Sequence, residues 1–371
     1  MKLTLAKQDL FRCLNSVISA AERKHHIQIL THVCVEVKDG TISFTTSDME
    51  IECHAYMQCA AEGKYKVCVN AKKFFDISKT TASTELTLDF SDPNQLLVKS
   101  GKSKFVLPCL NGDDFPRFSL AHEKEKRLNF KFSVLLDAIK RVAFCASNSD
   151  VRQYLLGIKL EIRNNLLTAI ATDGYRLALI DIAEDSFKST DEVDVIIPKK
   201  VCNEILKLGN SFEDINFTLV VNSSSYIGFQ FPGLTITSRL IEGRYPDCRA
   251  LVPENHPIKI IVNKNDLRAK LNEVSIMLNE RFRVIIIELR NNLLQLSTNN
   301  TELDSAEVGM DISYSGDTIK IGCNVNHLLD VLNSIDADDV SLAFKDPDDK
   351  IVLNFTNRPS PQYIVMPSRI S

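Results

Sequence analysis

The chain has 371 residues, of which 44% are hydrophobic and 25% are charged, and its formal net charge is −4. This length predicts two or three domains, and the composition is ordinary for a globular protein. No apolar stretch is long enough to cross a bilayer, which argues against a membrane protein. Charged residues interrupt the N-terminal segment where a signal peptide needs an apolar run, so we expect a cytoplasmic protein.

A strand-to-helix pattern occurs six times along the chain. In each copy, apolar residues first alternate with polar ones, as in a strand, and then recur at spacings of three and four, as in an amphipathic helix. The copies are found at residues 2–14, 65–77, 128–140, 193–205, 258–271 and 319–331. Their even spacing predicts three repeated domains with two copies of the pattern in each.

Turn signals separate further alternating segments between the helices. Asp39-Gly40, Asn164-Asn165 and Asn291-Asn292 each precede a segment with strand periodicity. The sequence therefore predicts an α+β protein in which every half-domain is one helix with a few antiparallel strands. We place the domains at 1–125, 126–253 and 254–371, because the segments near 125 and 253 are charged or rich in proline.

The ten cysteines are scattered, and several lie in alternating apolar segments. This distribution predicts free buried thiols and no disulfide framework. There is no C-x-x-C pair, and His25-His26 has no further ligand residue at zinc spacing. We therefore expect neither a metal site nor a cofactor.

The predicted helices are more basic than the rest of the chain. Five of the six helical segments carry a net positive formal charge, although the whole chain is acidic. Lysines on exposed helix faces are common, so the charge alone does not decide between a solvated face and a binding surface. If the repeated helices point the same way, however, their basic faces add into a surface that attracts a nucleic acid backbone without reading its sequence. The candidate contacts on these helices are Lys72, Lys73, Lys140, Arg141, Lys199 and Lys200.

Enzyme motifs are incomplete in this sequence. The segment "GKS" at 101–103 lacks the preceding glycine of a phosphate-binding loop, because Leu96 occupies that position. Asp173 precedes a glycine between two alternating segments, a pattern typical of a turn. No nucleophile, base and orienting group occur together, and we expect a non-catalytic protein.

Six segments carry a resemblance to a known family. They are "KKFFDI" at 72–77, "DVRQYLLGI" at 150–158, "ATDGYRLAL" at 171–179, "EGRYPDCRALVP" at 242–253, "NERFR" at 279–283 and "YIVMPSRIS" at 363–371. In this order and within three repeats, they resemble the bacterial β sliding clamps, the β subunits of DNA polymerase III, over essentially the whole chain. The resemblance implies three DNA-clamp domains, each with two helices packed on antiparallel sheets, in a head-to-tail homodimeric ring.

The same resemblance implies a function and partners. A protein of this family encircles duplex DNA without sequence specificity and tethers the catalytic subunit of the replicative polymerase, which confers processivity. Other implied partners are the clamp loader and proteins with a clamp-binding motif. A repeat-built scaffold that binds peptides but does not encircle DNA remains an alternative.

The resemblance also implies site residues. Arg23 and Lys24 match positions that contact DNA phosphates. The residues that match the partner-peptide groove are Arg152, Tyr154, Leu155, Thr172, Gly174, Tyr175, Arg176, Leu177, Pro246, Leu251, Phe282, Asn324, His327, Ile364, Val365, Met366, Pro367, Ser368 and Arg369. Four positions depart from the usual family residue, namely Tyr175, Ala250, His327 and Ser368.

The predicted dimer interface joins a basic edge of the first domain to an acidic edge of the third. The resemblance implies an interface at these segments, where Ile276 and Met277 match apolar family positions. The predicted interface residues are Lys102, Lys104, Phe105, Leu107, Ile276, Met277, Glu302, Asp304 and Glu307. Charges on edge strands also protect against aggregation, which is the alternative interpretation. The opposite signs in the first and last domains favour an interface.

Overall fold

A computed structural model describes residues 1–61, 63–118, 125–188, 192–212, 214–222, 225–252, 256–279, 283–299, 305–355 and 360–369, without the side chains of Asn210 and Asn299. The chain divides into two compact units, Met1–Ser133 with Lys207–Leu240 and Val134–Leu206 with Ile241–Ser371. The boundary predicted at 253 lies outside the described residues. The division into three domains at 125 and 253 stays a prediction.

The described residues form six α-helices and 24 strands. The first half contains β1 (Lys2–Ala6), α1 (Lys7–Val17), β2 (His32–Lys38), β3 (Thr41–Ser47), β4 (Ile51–Gln58), β5 (Tyr65–Asn70), α2 (Ala71–Thr80), β6 (Glu85–Asp92), β7 (Gln95–Ser100), β8 (Ser103–Asn111), β9 (Glu125–Lys131), α3 (Phe132–Val142), β10 (Gly157–Arg163), β11 (Leu166–Thr172) and β12 (Arg176–Ala183). The second half contains β13 (Val193–Pro198), α4 (Lys199–Phe212), β14 (Asn216–Asn222), β15 (Tyr226–Phe231), β16 (Leu234–Arg239), β17 (Ile258–Asn263), α5 (Lys264–Ser275), β18 (Val284–Arg290), β19 (Leu293–Asn299), β20 (Ser305–Asp311), β21 (Ile319–Asn324), α6 (Val325–Ser334), β22 (Asp339–Phe344), β23 (Ile351–Phe355) and β24 (Gln362–Val365).

All six predicted strand-to-helix corners are present. Strands β1, β5, β9, β13, β17 and β21 run without a loop into α1 to α6. At three corners the last strand residue is an asparagine that caps the helix: the side chains of Asn70, Asn263 and Asn324 accept hydrogen bonds from backbone N–H groups of the first turn at 2.9–3.2 Å. Because an N-cap residue has extended backbone geometry, one residue can end the strand and begin the helix.

The sheets are antiparallel, as predicted. In the first unit, the described strands form one 12-stranded sheet in the order β1-β6-β7-β8-β5-β2-β3-β4-β16-β15-β14-β9. In the second unit, they form an eight-stranded sheet, β13-β10-β11-β12-β24-β23-β22-β17, and a four-stranded sheet, β20-β19-β18-β21. The predicted turns are confirmed, since Asp39, Gly40, Asn164, Asn165 and Asn292 have positive φ angles of 50–76°.

The helices bury one face and expose the other. On α2, Phe74 and Ile77 are buried while Lys72 and Lys73 are exposed. On α6, the buried residues recur at spacings of three and four, from Val325 to Leu332. This pattern is the amphipathic one that the sequence predicts. Among the described residues, no helix has the length and apolar character that crossing a membrane requires.

The segment that follows β8 is anchored to one face of the 12-stranded sheet. Arg117 Nε donates to both carboxylate oxygens of Glu52 at 3.1 Å, and the Phe118 N–H donates to the same carboxylate. Nearby, Thr45 Oγ1 lies 2.9 Å from His54 Nδ1. Burial, and then the positive charge of Arg117, lower the pKa of His54 to about 4. His54 is therefore neutral in the folded protein at pH 7.

We expect Asn70→Ala to lower the free energy of unfolding by about 1 kcal/mol, because the first turn of α2 loses its cap. Chemical denaturation measures the change. The control is Asn94→Ala, which removes an exposed asparagine outside any helix. Equal stability of the two variants would contradict the cap's contribution.

We also expect His54 to make the protein less stable as the pH falls from 6.5 to about 4. In that window the unfolded histidine binds a proton and the folded one does not, so unfolding becomes more favourable by up to about 3 kcal/mol. Denaturation at several pH values measures this loss. In His54→Gln it should shrink, whereas in the exposed control His26→Gln it should persist; an unchanged loss in His54→Gln would contradict the assignment.

Candidate peptide groove, basic helix faces and interface edges

A strand pairing in the second unit brings together the two parts of the predicted groove. In the eight-stranded sheet, β12 pairs with β24, with Arg176 opposite Val365 and Leu177 opposite Ile364. The contact continues past the strand, since the Met366 N–H donates to the Tyr175 carbonyl at 2.8 Å. Residues about 190 positions apart in sequence thereby become neighbours.

The floor of the groove is apolar and buried. Leu155, Leu177 and Ile364 are each at most 3% exposed. Leu177 and Ile364 belong to a core cluster that also contains Ile170, Leu179, Ile196, Tyr245, Cys248, Ala343 and Val352. Tyr154, half-buried, packs on this cluster, and its ring lies 6.1 Å from that of Tyr245. The floor is thus part of the core of the second unit.

Exposed apolar side chains belong to the same constellation. Tyr175, Leu251 and Met366 are 67%, 49% and 44% exposed, and Pro246 is also exposed. Large apolar side chains that stay exposed next to a buried apolar floor are typical of a surface that binds another molecule.

Arg176 fixes the backbone beneath Tyr175. Its guanidinium donates to Asp330 Oδ2 at 2.5 Å, to Asp173 Oδ2 at 3.0 Å and to the Phe144 carbonyl at 2.9 Å. Burial by itself lowers the pKa of Arg176, but hydrogen bonding to Asp330 and the nearby negative charges outweigh it and raise the pKa. Arg176 therefore stays charged and is used by the fold, which leaves Tyr175 as the exposed side chain of this turn.

The turn that carries Tyr175 is the one that the sequence predicted at Asp173-Gly174. Asp173 Oδ1 accepts hydrogen bonds from the N–H groups of Tyr175 and Arg176 at 2.9 and 3.0 Å. Gly174 has a φ of +89°, and a side chain there would approach the Arg152 guanidinium at 3.4 Å. Asp173 is thus a structural residue, and glycine is needed beside it.

Arg152 and His327 are polar groove candidates, and each lies close to a neighbouring side chain. Arg152 donates to Asp150 through Nε and Nη2 at 3.0 Å, and hydrogen bonds from Arg152 lower the pKa of Asp150 to about 2. The His327 ring lies 6.4 Å from the Tyr175 ring. Burial, followed by the charge of Arg176, lowers the pKa of His327, which keeps the imidazole neutral at pH 7.

The remaining groove candidates occupy several environments. Thr172 and Val365 are buried, whereas Pro367 and Ser368 are half-buried and Arg369 is exposed. The Asn324 side chain caps α6 and is half-buried. Phe282 lies outside the described residues.

The basic residues predicted to contact DNA fall into two groups. Arg23, Lys24, Lys72, Lys73, Lys140 and Lys200 are exposed. Lys199, in contrast, donates to the Ala146 carbonyl at 2.5 Å and to Asn148 Oδ1 at 2.8 Å, and burial lowers its pKa. Arg141 pairs with Asp137 at 2.8 Å, and its guanidinium lies 5.6 Å from the centre of the Phe355 ring. The six exposed residues are therefore better candidates for a DNA-binding surface than Lys199 and Arg141.

The predicted interface residues also differ in exposure. Ile276 is 75% exposed just after α5, next to Met277, and Lys102, Lys104 and Glu307 are exposed. Phe105 is half-buried, and the single chain buries Leu107, so Leu107 is a core residue of the first unit. Glu302 and Asp304 lie outside the described residues.

Sequence reasoning did not single out several exposed apolar residues, and two of them lie beside predicted site residues. Val106 projects opposite to Phe105 and Leu107, and the alternation of β8 contained that signal. Val151, beside Arg152, is 97% exposed, and its loop has no periodicity that would have revealed it. Across the ranges that the structure describes, no cluster of three or more His, Cys, Asp or Glu side chains is placed to hold a metal ion.

Comparisons with known proteins cover the whole chain. Models of the N-terminal, central and C-terminal domains of the DNA polymerase III beta subunit match residues 1–119, 129–247 and 249–369. Proteins named beta sliding clamp from Proteus mirabilis and Pseudomonas aeruginosa are 31% and 30% identical, with full coverage of both chains. A crystal structure of the P. aeruginosa sliding clamp bound to griselimycin has a TM-score of 0.94 at 29% identity, again with full coverage.

We expect Met366→Ala to weaken the binding of a partner peptide by about 1 to 3 kcal/mol, because a wall of the groove loses its apolar contact. Calorimetric titration with a clamp-binding peptide measures the change. The matched control is Met49→Ala, since Met49 is equally exposed but lies in the first unit. Unchanged affinity in Met366→Ala would remove Met366 from the groove.

Proposed function

Because the chain belongs to the DNA polymerase III beta subunit family, we propose that two copies of it close head to tail into a ring around duplex DNA. Family membership makes the protein a beta sliding clamp, a non-catalytic processivity factor that encircles DNA for polymerase III. Two open strand edges of opposite charge support this way of closing the ring.

The two edges lie at β8 and β20. Residues 103–108 of β8 pair with β7, and β20 pairs with β19; neither has a second strand partner among the described residues. An unpaired edge leaves backbone N–H and C=O groups available for a strand of another chain. Each edge of one copy then pairs with the opposite edge of the second copy, which closes a symmetric dimer.

Charge and apolar surface favour the same contact. Lys102 and Lys104 adjoin the first edge, while Glu307 and Asp311 lie on the second. Opposite charges steer the two edges together. They also disfavour pairing of an edge with the identical edge of the second copy, because the charges there have the same sign. Ile276 supplies an exposed apolar side chain that the dimer buries, with Met277 beside it.

The exposed cations on the helices are proposed to face the DNA backbone. Arg23, Lys24, Lys72, Lys73, Lys140 and Lys200 interact with phosphates, an interaction that carries no sequence information and weakens with salt. Diffuse contacts of this kind permit sliding, and closure of the ring prevents dissociation.

The groove of the second unit is proposed to dock the partners. An extended peptide places apolar anchors against Leu155, Leu177 and Met366, while Tyr175 and His327 contact its flank. The partners are the catalytic subunit of the replicative polymerase, the clamp loader and other proteins with a clamp-binding motif. They act on chromosomal DNA, so the protein works in the cytoplasm.

Retention on DNA tests the ring. The purified protein is loaded onto nicked circular plasmid by its cognate clamp loader with ATP, and retention is measured before and after one linearising cut. We expect retention on the circle and loss after the cut, since a ring slides off a free end. Equal retention on both forms would mean that local affinity holds the protein and would overturn the ring. Absence from both, with a loader shown to be active on another clamp, would favour the peptide-binding scaffold.

A matched pair of variants tests the closing contact. Ile276→Glu places a charge in the proposed interface, whereas Ile261→Glu changes another exposed isoleucine, on β17. Light scattering should report a monomer for Ile276→Glu and a dimer for Ile261→Glu, and the monomer should not be retained on circular plasmid. A dimer in both variants would exclude Ile276 from the interface.

A further inference from the structure

Two cysteines of the first unit are direct cross-strand neighbours. Cys34 on β2 is paired with Cys68 on β5 in an antiparallel register. The α-carbons of opposite residues in such a pair are about 4.5 or 5.5 Å apart, and both values lie within the range that a disulfide spans. In the strand registers that the structure describes, this is the only position where two cysteines are opposite each other.

The two thiols interact, and the pKa values of Cys34 and Cys68 shift in opposite directions. Interaction with the Cys68 thiol lowers the pKa of Cys34, against the opposing effect of burial, and the positive charges of Lys66 and Arg117 act in the same direction. The pKa of Cys68 is raised by the same interaction and by its burial. A thiolate is the nucleophilic form of cysteine, and the nearby positive charges of Lys66 and Arg117 favour that form of Cys34, so we take Cys34 as the first thiol to react.

Cys34 and Cys68 are buried under apolar side chains. Cys34 and Cys68 form a small cluster with Phe115, and the half-buried residues Ile29 and Leu110 pack against it. Phe115 belongs to the segment that is anchored through Arg117 and follows a short 3₁₀ turn, Gly112–Asp114. Phe115 is the only aromatic residue of this cluster among the described residues, and we expect its displacement to expose the pair to a small oxidant.

We propose that Cys34 and Cys68 are a reversible redox pair and that hydroperoxides oxidise the two thiols to a disulfide. The Cys34 thiol releases its proton, and the resulting thiolate attacks one oxygen of hydrogen peroxide. The O–O bond breaks, a sulfenic acid remains on Cys34, and the released hydroxide takes up the proton to become water. The Cys68 sulfur then attacks the Cys34 sulfur, forms the S–S bond and displaces the hydroxyl group as a second water. Two thiols and one hydrogen peroxide thus give one disulfide and two waters.

The position of the pair makes the bond compatible with the fold. β2 and β5 are already hydrogen-bonded neighbours, so closure of the bond needs no new chain path. The pair lies in the first unit, whereas the described groove residues belong to the second.

Peptide mapping of the full chain tests the proposal. Trypsin places Cys34 in residues 25–38 and Cys68 in residues 67–72, each as the only cysteine of its peptide. After treatment with hydrogen peroxide, denaturation and alkylation without reductant, we expect these two peptides to be linked, and dithiothreitol to release them. If both remain singly alkylated at a dose that oxidises the half-exposed Cys59, or if either is linked to another cysteine, the proposal is wrong.

Three variants separate the roles of the two thiols. Cys68→Ser removes the resolving thiol, so a cyclic 1,3-dione probe for sulfenic acid should label Cys34. Cys34→Ser should leave Cys68 unlabelled. Cys323→Ser is the matched control, because Cys323 is a buried strand cysteine opposite Ile285, and it should still form the 34–68 linkage. Label on Cys68 in place of Cys34 would overturn the proposed order of attack.

The cover is tested by the rate of oxidation. We expect Phe115→Ala to form the disulfide severalfold faster than the unmodified protein, because it opens the site. Phe90→Ala is the control, since Phe90 is a buried phenylalanine on β6 of the same unit outside this cluster. Equal rates in the two variants would mean that Phe115 does not gate the pair, and slower oxidation in Phe115→Ala would overturn the proposed access route.

Discussion

Backbone pairing between strands that are distant in sequence is the constraint on which the rest of this structure depends. In the first unit β4 pairs with β16, and in the second β12 pairs with β24. Each pairing lets a sheet continue from one repeat into another, with the backbone hydrogen bonds satisfied across the junction. Because side chains alternate along a strand, a shift of one residue would turn Ile364 away from Leu177 and dismantle the groove floor.

Arg176 shows how this register is specified. It is the first residue of β12, it pairs across the sheet with Val365, and its guanidinium reaches Asp330 on α6. Partly buried ion pairs contribute little net stability, since the loss of hydration offsets the attraction, yet they penalise arrangements that leave a charge unpaired. The Arg176 network therefore selects one arrangement of β12, α6 and the turn below Tyr175. If a peptide binds in the proposed groove, a backbone fixed in this way loses little conformational entropy.

The same register logic leads to the proposed redox pair. Neither Cys34 nor Cys68 is unusual in sequence, since both are small apolar residues in alternating strands. Opposition across one antiparallel ladder makes the two thiols neighbours, and Phe115 packs against both of them. The proposed partner groove lies in the second unit and the thiol pair in the first, so oxidation of the pair leaves the groove residues chemically unmodified.

Local patterns in the sequence determined a large part of this protein. The six strand-to-helix corners, the asparagine turns and the structural role of Asp173 followed from periodicity and backbone preferences, which act over a few residues. Tertiary structure alone decided that Arg141 and Lys199 are held by local partners, that Leu107 is buried, and that residues 175–179 pair with residues 362–366. Burial, ion pairing and strand register depend on contacts between segments far apart in the chain, and a one-dimensional pattern does not encode which distant surface each residue will meet.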